Sequence, residues 1–362
     1  MQRCSVPCKA CPVPGREREH TSVPVQTAAY SMLTDYILCN KQVIGNMQDP
    51  QKTPGSCYNL TDMAHNEEER QRLFTPAQQI DRSVFKKYKP ALWGRFLESI
   101  RRYDLIQEND RIAVCISGGK DSMCMAKLFR LLQAHSEIPF EVKYLVMDPG
   151  YSDSHRAQIE KNLQLLNIPA EIFTTNIFAV AEHLNGTSPC YLCARMRRGH
   201  LYNKAKELSC NKIALGHHLN DAIETTLMSM FYSSKIETIV PKAHSENFPG
   251  MELIRPMYAV REEDILSWAA YNDLHFLQCA CSFTENKDFD RGSSKRQEVK
   301  KLIKDLKKDN PEIERSLFNS LHAVQIETFP GYKAKGNLHS FLENYSERGN
   351  DFDYASVKKS SD

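Results

Sequence analysis

Apolar and polar positions change period repeatedly along the middle of this chain. Residues 83–103 place Phe85, Leu92, Phe96 and Ile100 at helical spacing, which predicts a helix. Residues 112–116 (Ile-Ala-Val-Cys-Ile) form a continuous apolar run of strand length. That run breaks at Ser117-Gly118-Gly119, and a helical pattern resumes through Met123, Ala126, Leu128, Leu131 and Leu132. Further strands are predicted at 140–147, 170–173, 212–215, 252–254 and around 275–277, and helices at 154–166, 195–208, 221–231 and 262–272. Strand alternating with helix over about 190 residues implies parallel crossovers, hence an α/β fold: a doubly wound, mostly parallel sheet with helices on both faces. Ligands in such sheets bind beyond the carboxyl ends of the strands, so candidate chemistry is sought there.

The flanks lack this regularity. Residues 1–80 hold seven prolines, five of the twelve cysteines and the acidic run Glu67-Glu68-Glu69 without a sustained apolar period, so they read as a low-order extension with one short helix near 32–38. Residues 81–305 form the expected functional unit, and 306–362 a tail with one helix at 312–324 and little order beyond Pro330. At 41% apolar and 25% charged, the composition is that of an ordinary globular protein. No run approaches the ~18 apolar residues of a spanning helix and the start has no apolar signal core, so a soluble, cytoplasmic protein without a membrane partner is expected. In such a reducing compartment the cysteines read as metal ligands, catalytic thiols or core residues rather than disulfides.

The segment Ser117-Gly118-Gly119-Lys120-Asp121-Ser122 joins a buried strand to a helix. Two glycines permit close backbone approach, and free amides at a helix start, with Ser117, Lys120 and Ser122, make an anion cradle. Its spacing is neither that of a Walker A loop nor that of a dinucleotide fold. The plainer reading is a glycine turn capped by Asp121 or Ser122, which leaves Lys120 unexplained. A second loop, Leu215-Gly-His-His-Leu-Asn-Asp-Ala-Ile-Glu-Thr225, opens at the same sheet edge, with Asn220 or Asp221 as the helix cap and Asp221 and Glu224 on one helix face. Met147-Asp148 ends the second strand at that edge.

Cys190 and Cys193, with two residues between them, stand in a loop after Pro189, just before a predicted helix whose N-terminus would favour thiolates. Cys279 and Cys281 follow at the same expected edge. The residues leave four readings open: a Cys4 zinc site, a redox or persulfide dithiol, an iron–sulfur cluster held by three cysteines, or buried structural thiols. Cys115, Cys124 and Cys210 read as core or near-core residues. Cys4, Cys8 and Cys11 have the spacing of a radical SAM cluster loop without the strands that class needs; a small zinc site with His20 or chance clustering are the alternatives.

Net charge is only +2, yet 82–102 has seven basic residues against one acid, 195–206 five against none, and 295–308 seven against two. Each stretch alone would be a solvated helix face, whereas the three together fit a phosphate-tracking surface for folded RNA.

SGGKDS after the first strand resembles the PP-loop ATP pyrophosphatases. With PCxxCxRxRRG, LGHHxxDxxETxxxxxFY and a late cysteine, residues 85–305 are similar to the tRNA 2-thiocytidine synthetase branch. The resemblance implies ATP held by Ser117, Gly118, Gly119, Lys120, Asp121 and Ser122, with Met147, Gly216, His217 and Asp221 completing the nucleotide site and Asp121 helping to hold Mg²⁺. It implies a [4Fe–4S] cluster on Cys190, Cys193 and Cys279, with one iron open to bind hydrosulfide and zinc as the lesser alternative. Lys120, Asp121, Cys190 and Cys193 would then be catalytic. The implied reaction adenylates O2 of cytidine 32 of a tRNA and replaces that oxygen with sulfur obtained through a cysteine desulfurase; a homodimer is left open. Cys-Ala-Cys at 279–281 departs from the branch's second CxxC, leaving Cys281 as the rival third ligand, and the insertion at 284–294 departs as well. The alternative functions are a 2-thiouridine or lysidine synthetase of the same superfamily, or a non-catalytic nucleotide- and RNA-binding protein.

Overall fold

The computed structural model describes residues 74–182, 189–277 and 295–345; in the helix that starts at Pro189 the side chains are described from Arg195. Strand β1 (Arg111–Ile116) is the hub. Ile112, Ala113 and Val114 are wholly buried, as expected for a strand covered on both faces. β1 pairs in parallel with β2 (Glu141–Asp148) on one side and β4 (Lys212–Ala214) on the other, Val114 standing opposite Tyr144 and Ala214. The described residues form a six-stranded sheet in the order β3-β2-β1-β4-β6-β5, with β3 at Ala170–Thr174, β5 at Lys242–His244 and β6 at Glu252–Ile254. Within this sheet only the β5–β6 pairing is antiparallel among the described residues. Strand order reverses between β1 and β4, so the crevice for a ligand opens beyond their carboxyl ends.

Helices cover both faces. On one side α1 (Pro76–Phe85), a π-helical turn (Lys89–Trp93), α2 (Gly94–Arg102), α3 (Lys120–His135), α4 (Asp153–Leu165) and α8 (Glu262–Tyr271) bury Val84, Leu92, Phe96, Phe129, Ile159 and Trp268 in one cluster. The N-terminal helices are tied down by polar contacts as well. The Trp268 indole donates to Ser83 Oγ (3.1 Å), and Lys127, almost fully buried, pairs with Asp81 and donates to Leu166 O (2.9 Å). The short α5 (Ile177–Glu182) precedes α6 (Pro189–Glu207), whose Tyr202 and Ala205 pack on Ala113, Cys115 and Ile213 on the other face. A third cluster joins α7 (Leu219–Ser233), α9 (Lys295–Asp309) and α10 (Ile313–Ser320) through Ile223, Tyr258, Val299, Ile303 and Phe318. Among the described residues no helix is long and apolar enough to cross a membrane.

The strands at 112–116 and 252–254 lie where the pattern predicts, but six local expectations need correction. The helix expected over 83–103 stops at Phe85 and restarts through the π-helical turn, because Pro90 has no amide hydrogen to continue the ladder. Cys190 and Cys193 sit within the first two turns of α6 rather than in a loop before it, since Pro189 is accommodated at the first helical position. His218 caps α7, with Asp221 reciprocating from the third position by accepting from His218 N (3.1 Å), in place of Asn220 or Asp221 as cap. Residues 274–277 form no strand. Their apolar character serves packing: Phe276 stacks on Trp268 (6.5 Å between centroids) and Leu277 N donates to Gly118 O (3.2 Å). Beyond Pro330, β7 (Gly331–Ala334) and β8 (Asn337–Ser340) pair as a hairpin whose turn residues Lys335 and Gly336 both have positive φ, and Tyr332 stacks on His339. The tail helix ends at Ser320, where the His322 ring bonds the Phe318 carbonyl (2.9 Å). The extension at 1–73, with Cys4, Cys8, Cys11 and the short helix near 32–38, lies outside the described residues.

Candidate functional site

Two loops build the crevice. After β1 the chain turns at Gly118, whose φ is +84°, and a Cβ there would lie 2.9 Å from Ile159 and 3.1 Å from Leu277. Glycine is therefore required by conformation and by space. The turn is braced by Ser122: its hydroxyl accepts from Ser117 N (3.1 Å), donates to Gly119 O (3.0 Å) and lies 3.1 Å from Ser117 Oγ. α3 starts from Gly119 without a side-chain cap, so the orphan amides of its first turn face the crevice as an anion site.

The second loop follows β4. A Cβ on Gly216 would meet Asp121 C and Ser122 N at 3.1 Å and Asp121 O at 3.2 Å, so the two loops touch backbone to backbone. Between them, against the end of β2, lies a cavity of about 280 Å³. Of the residues singled out from the sequence, Ser117, Gly119, Asp121, Ser122, Met147, Gly216, His217 and Asp221 line it, joined by Arg197 from α6. Arg197 donates to the Tyr151 hydroxyl (3.2 Å), which in turn donates to Ser117 O (3.3 Å). Gly118 and Lys120 are not among the lining residues; the Lys120 ammonium stands between Asp121, which is, and Glu262 at the start of α8. Asp148 is committed to structure, its carboxylate accepting from Gly150 N (2.9 Å), Tyr151 N (2.8 Å) and Arg156 Nη1 (3.1 Å). The side chains of Cys190 and Cys193, and Cys279 and Cys281 entirely, lie outside the described residues.

Behind the cavity runs a closed circuit of alternating basic and acidic side chains. Lys120 Nζ lies 3.0 Å from Asp121 Oδ2 and 2.9 Å from Glu262 Oε1. His218 stands between Asp121 (3.6 Å) and Asp221 (3.5 Å). Arg296 joins Asp221 (3.0 Å) to Glu224 (3.7 Å), and Lys300 joins Glu224 (3.7 Å) to Glu262 (3.0 Å), closing the circuit. It ties the glycine loop, the second loop, α8 and α9 together. Sequence reasoning missed Glu262, Arg296 and Lys300. Glu262 reads as an ordinary helix-start acid, and the other two as part of a basic RNA-facing segment. The signal available was Arg296 and Lys300 at i,i+4 spacing, one edge of α9.

The environment sets the protonation states. Burial and Arg255 push the His217 imidazole down to about 4, so it is neutral at physiological pH. Burial raises the Glu262 carboxyl, but Lys120 and Lys300 outweigh it and hold the group at about 2. Burial likewise opposes ionisation of Asp221, and His218, its amide, His217 and Arg296 override it, leaving the carboxyl below its ordinary range. Asp121 Oδ1 and His217 Nδ1 are buried without a hydrogen-bond partner in residues that line the cavity. Such orphaned atoms are expensive unless a ligand satisfies them.

Glu224 differs from its neighbours: it is 1% exposed, its two cations stand beyond hydrogen-bond distance, and burial pushes its carboxyl up to about 7. The folded chain then binds this proton where the unfolded chain, with an ordinary value of 4.5, has released it. Its contribution to stability is present below pH 4.5 and lost as pH rises to about 7. Glu224→Gln is expected to remove that loss, raising unfolding stability at pH 8 by about 1–3 kcal/mol and flattening the profile between pH 5 and 8 in denaturant titrations.

Comparison with known proteins places this geometry. Residues 91–301 match the PP-loop domain family. The chain is 34% identical over 249 residues to the tRNA-cytidine(32) 2-sulfurtransferase of Geotalea uraniireducens, covering 68% of this chain and 94% of that protein. It is 36% identical over 248 residues to the tRNA-cytidine(32) 2-sulfurtransferase of Syntrophotalea carbinolica, covering 68% and 92%. Among solved structures, the U34-tRNA thiolase NcsA from Methanococcus maripaludis, determined with its [4Fe-4S] cluster, superposes with a TM-score of 0.51 at 22% identity, over 65% of this chain and 80% of that one. At that identity the likeness is one of fold.

Proposed function

The chain belongs to the PP-loop domain family and, within it, to the tRNA-cytidine(32) 2-sulfurtransferases, and from that premise we propose that it is an ATP-dependent tRNA sulfurtransferase acting on a cytidine, by the relatives' name at position 32. The observation that carries the site assignment is the backbone contact of the two loops around a cavity at the switch point, with Asp121 Oδ1 unsatisfied beside it.

In this reading residues 117–122 cradle the nucleotide phosphates through the glycine amides and the α3 N-terminus, and Lys120 stabilises the charge that develops as pyrophosphate leaves. Met147, Gly216, His217 and Asp221 enclose the rest of the nucleotide. Asp121, with its orphaned oxygen, fits a Mg²⁺ ligand, and the ion would neutralise phosphate charge. The cytidine O2 forms a bond to the α-phosphorus as the bond to the β-phosphate bridge breaks, which turns a poor oxygen leaving group into AMP. His217, held neutral, adds no positive charge that would tie down the leaving AMP. Cys190, Cys193 and Cys279 are the proposed ligands of a [4Fe–4S] cluster, by sequence pattern and family. The cluster, when bound, supplies sulfide for the replaced oxygen. A cysteine desulfurase is the proposed sulfur source, and the cytoplasm the proposed place of action. The basic faces of α2, α6 and α9 would track the tRNA backbone.

Anaerobic purification of the full chain, with iron, zinc and absorption measured, tests the cluster. A brown protein with about four iron atoms per chain is expected, and a colourless one with stoichiometric zinc would sink that part. Release of pyrophosphate from ATP stimulated by tRNA tests the enzyme itself; its absence under the same conditions would reduce the chain to a binding protein.

A further inference from the structure

We propose that Glu262 is a positioning residue that aims the Lys120 ammonium at the bound nucleotide, with Lys300 of α9 bracing it from behind. The inference rests on the nucleotide-site reading above. An ammonium group has three hydrogens to donate. Two are directed at Asp121 Oδ2 (3.0 Å) and Glu262 Oε1 (2.9 Å), which leaves one for a phosphate oxygen. A lysine side chain is otherwise free about four bonds, so two fixed acceptors define where the third hydrogen points.

Glu262 is itself fixed. Its backbone amide donates to Asn220 Oδ1 (2.9 Å), and Lys300 Nζ contacts both carboxylate oxygens (3.3 and 3.0 Å). Lys300 is carried by a helix anchored through Val299 and Ile303, on either side of it in sequence, both buried against α7. The brace therefore runs from a packed helix through one carboxylate to the lysine of the nucleotide loop.

A positioning role makes a particular signature. Glu262→Gln removes a negative charge near an anionic ligand, so long-range attraction for ATP cannot weaken. Orientation is lost, so turnover falls. The expected result is a kcat for pyrophosphate release lowered tenfold or more, with KM for ATP and calorimetric Mg-ATP affinity within twofold or tighter. Lys300→Met is expected to reproduce the split more mildly, and Lys300→Arg to restore it. Brief acetic anhydride labelling read by mass spectrometry supplies a measure independent of catalysis: Lys120 is expected to label at least threefold faster in Glu262→Gln, and ATP to protect it.

Equal loss of ATP affinity and kcat, or unchanged Lys120 labelling and unchanged kcat, overturns the positioning role while leaving the nucleotide site standing. Failure of the unaltered chain to bind Mg-ATP overturns both.

Discussion

Gly216→Ala is expected to lower tRNA-stimulated pyrophosphate release by about 100-fold or more. The added methyl would press on Asp121 C, Ser122 N and Asp121 O at 3.1–3.2 Å. These are backbone atoms of the glycine loop and cannot swing aside as a side-chain tip would. Relief must come from separating the loops by a few tenths of an ångström or more, and misplacement of reacting groups on the ångström scale costs about 10²-fold. The fold would bear the change at a smaller cost, about 1–3 kcal/mol as for other overpacked sites. Steady-state pyrophosphate release together with thermal unfolding separates the two effects. Near-normal turnover in a folded variant would mean that loop contact does not set the geometry of the site.

Replacing Cys190 and Cys193 together by serine is expected to abolish tRNA thiolation while leaving Mg-ATP affinity within about twofold. The two positions belong to the start of α6 and not to the β1–α3 and β4–α7 loops proposed to hold the nucleotide. Serine is a far weaker ligand for soft iron than thiolate, so iron content should fall with the thiolated product. Nucleoside analysis of tRNA after incubation, iron content and ATP calorimetry report the three quantities separately. Undiminished 2-thiocytidine from the double variant would remove these cysteines from the reaction.

The parts of the crevice whose shape was legible in the sequence are those set by neighbouring residues. SGGKDS announces its turn because glycine conformation, helix start and the lysine fall within six residues. Strand 112–116 was legible because a strand covered on both faces is apolar throughout. The extent of α6 was not, since Pro189 reads equally as a loop residue and as the first residue of a helix. Residues 275–277 carry a strand-like apolar pattern that the fold spends on Trp268 and Gly118 instead. Glu262 and Lys300 could not be assigned because their meaning comes from tertiary ion pairs with Lys120 and Glu224, and one-dimensional charge counting places Lys300 on an RNA-facing surface. Arg296 belongs to the same segment and turns out to hold Asp221. In that basic stretch Arg296 and Lys300 face acids of the crevice, so the stretch is more than a solvated or RNA-facing surface.

The charge circuit behind the cavity also divides the molecule's response to ionic strength. Its acids Glu224, Asp221 and Glu262 are buried or largely covered, with side-chain exposures of 2%, 17% and 22%. Mobile ions screen such pairs poorly, whereas contacts with nucleic-acid phosphates weaken steeply as salt displaces them. If the chain acts as proposed, rising salt is expected to release the polynucleotide well before it loosens the nucleotide loop, the two substrates being held by electrostatics of different range.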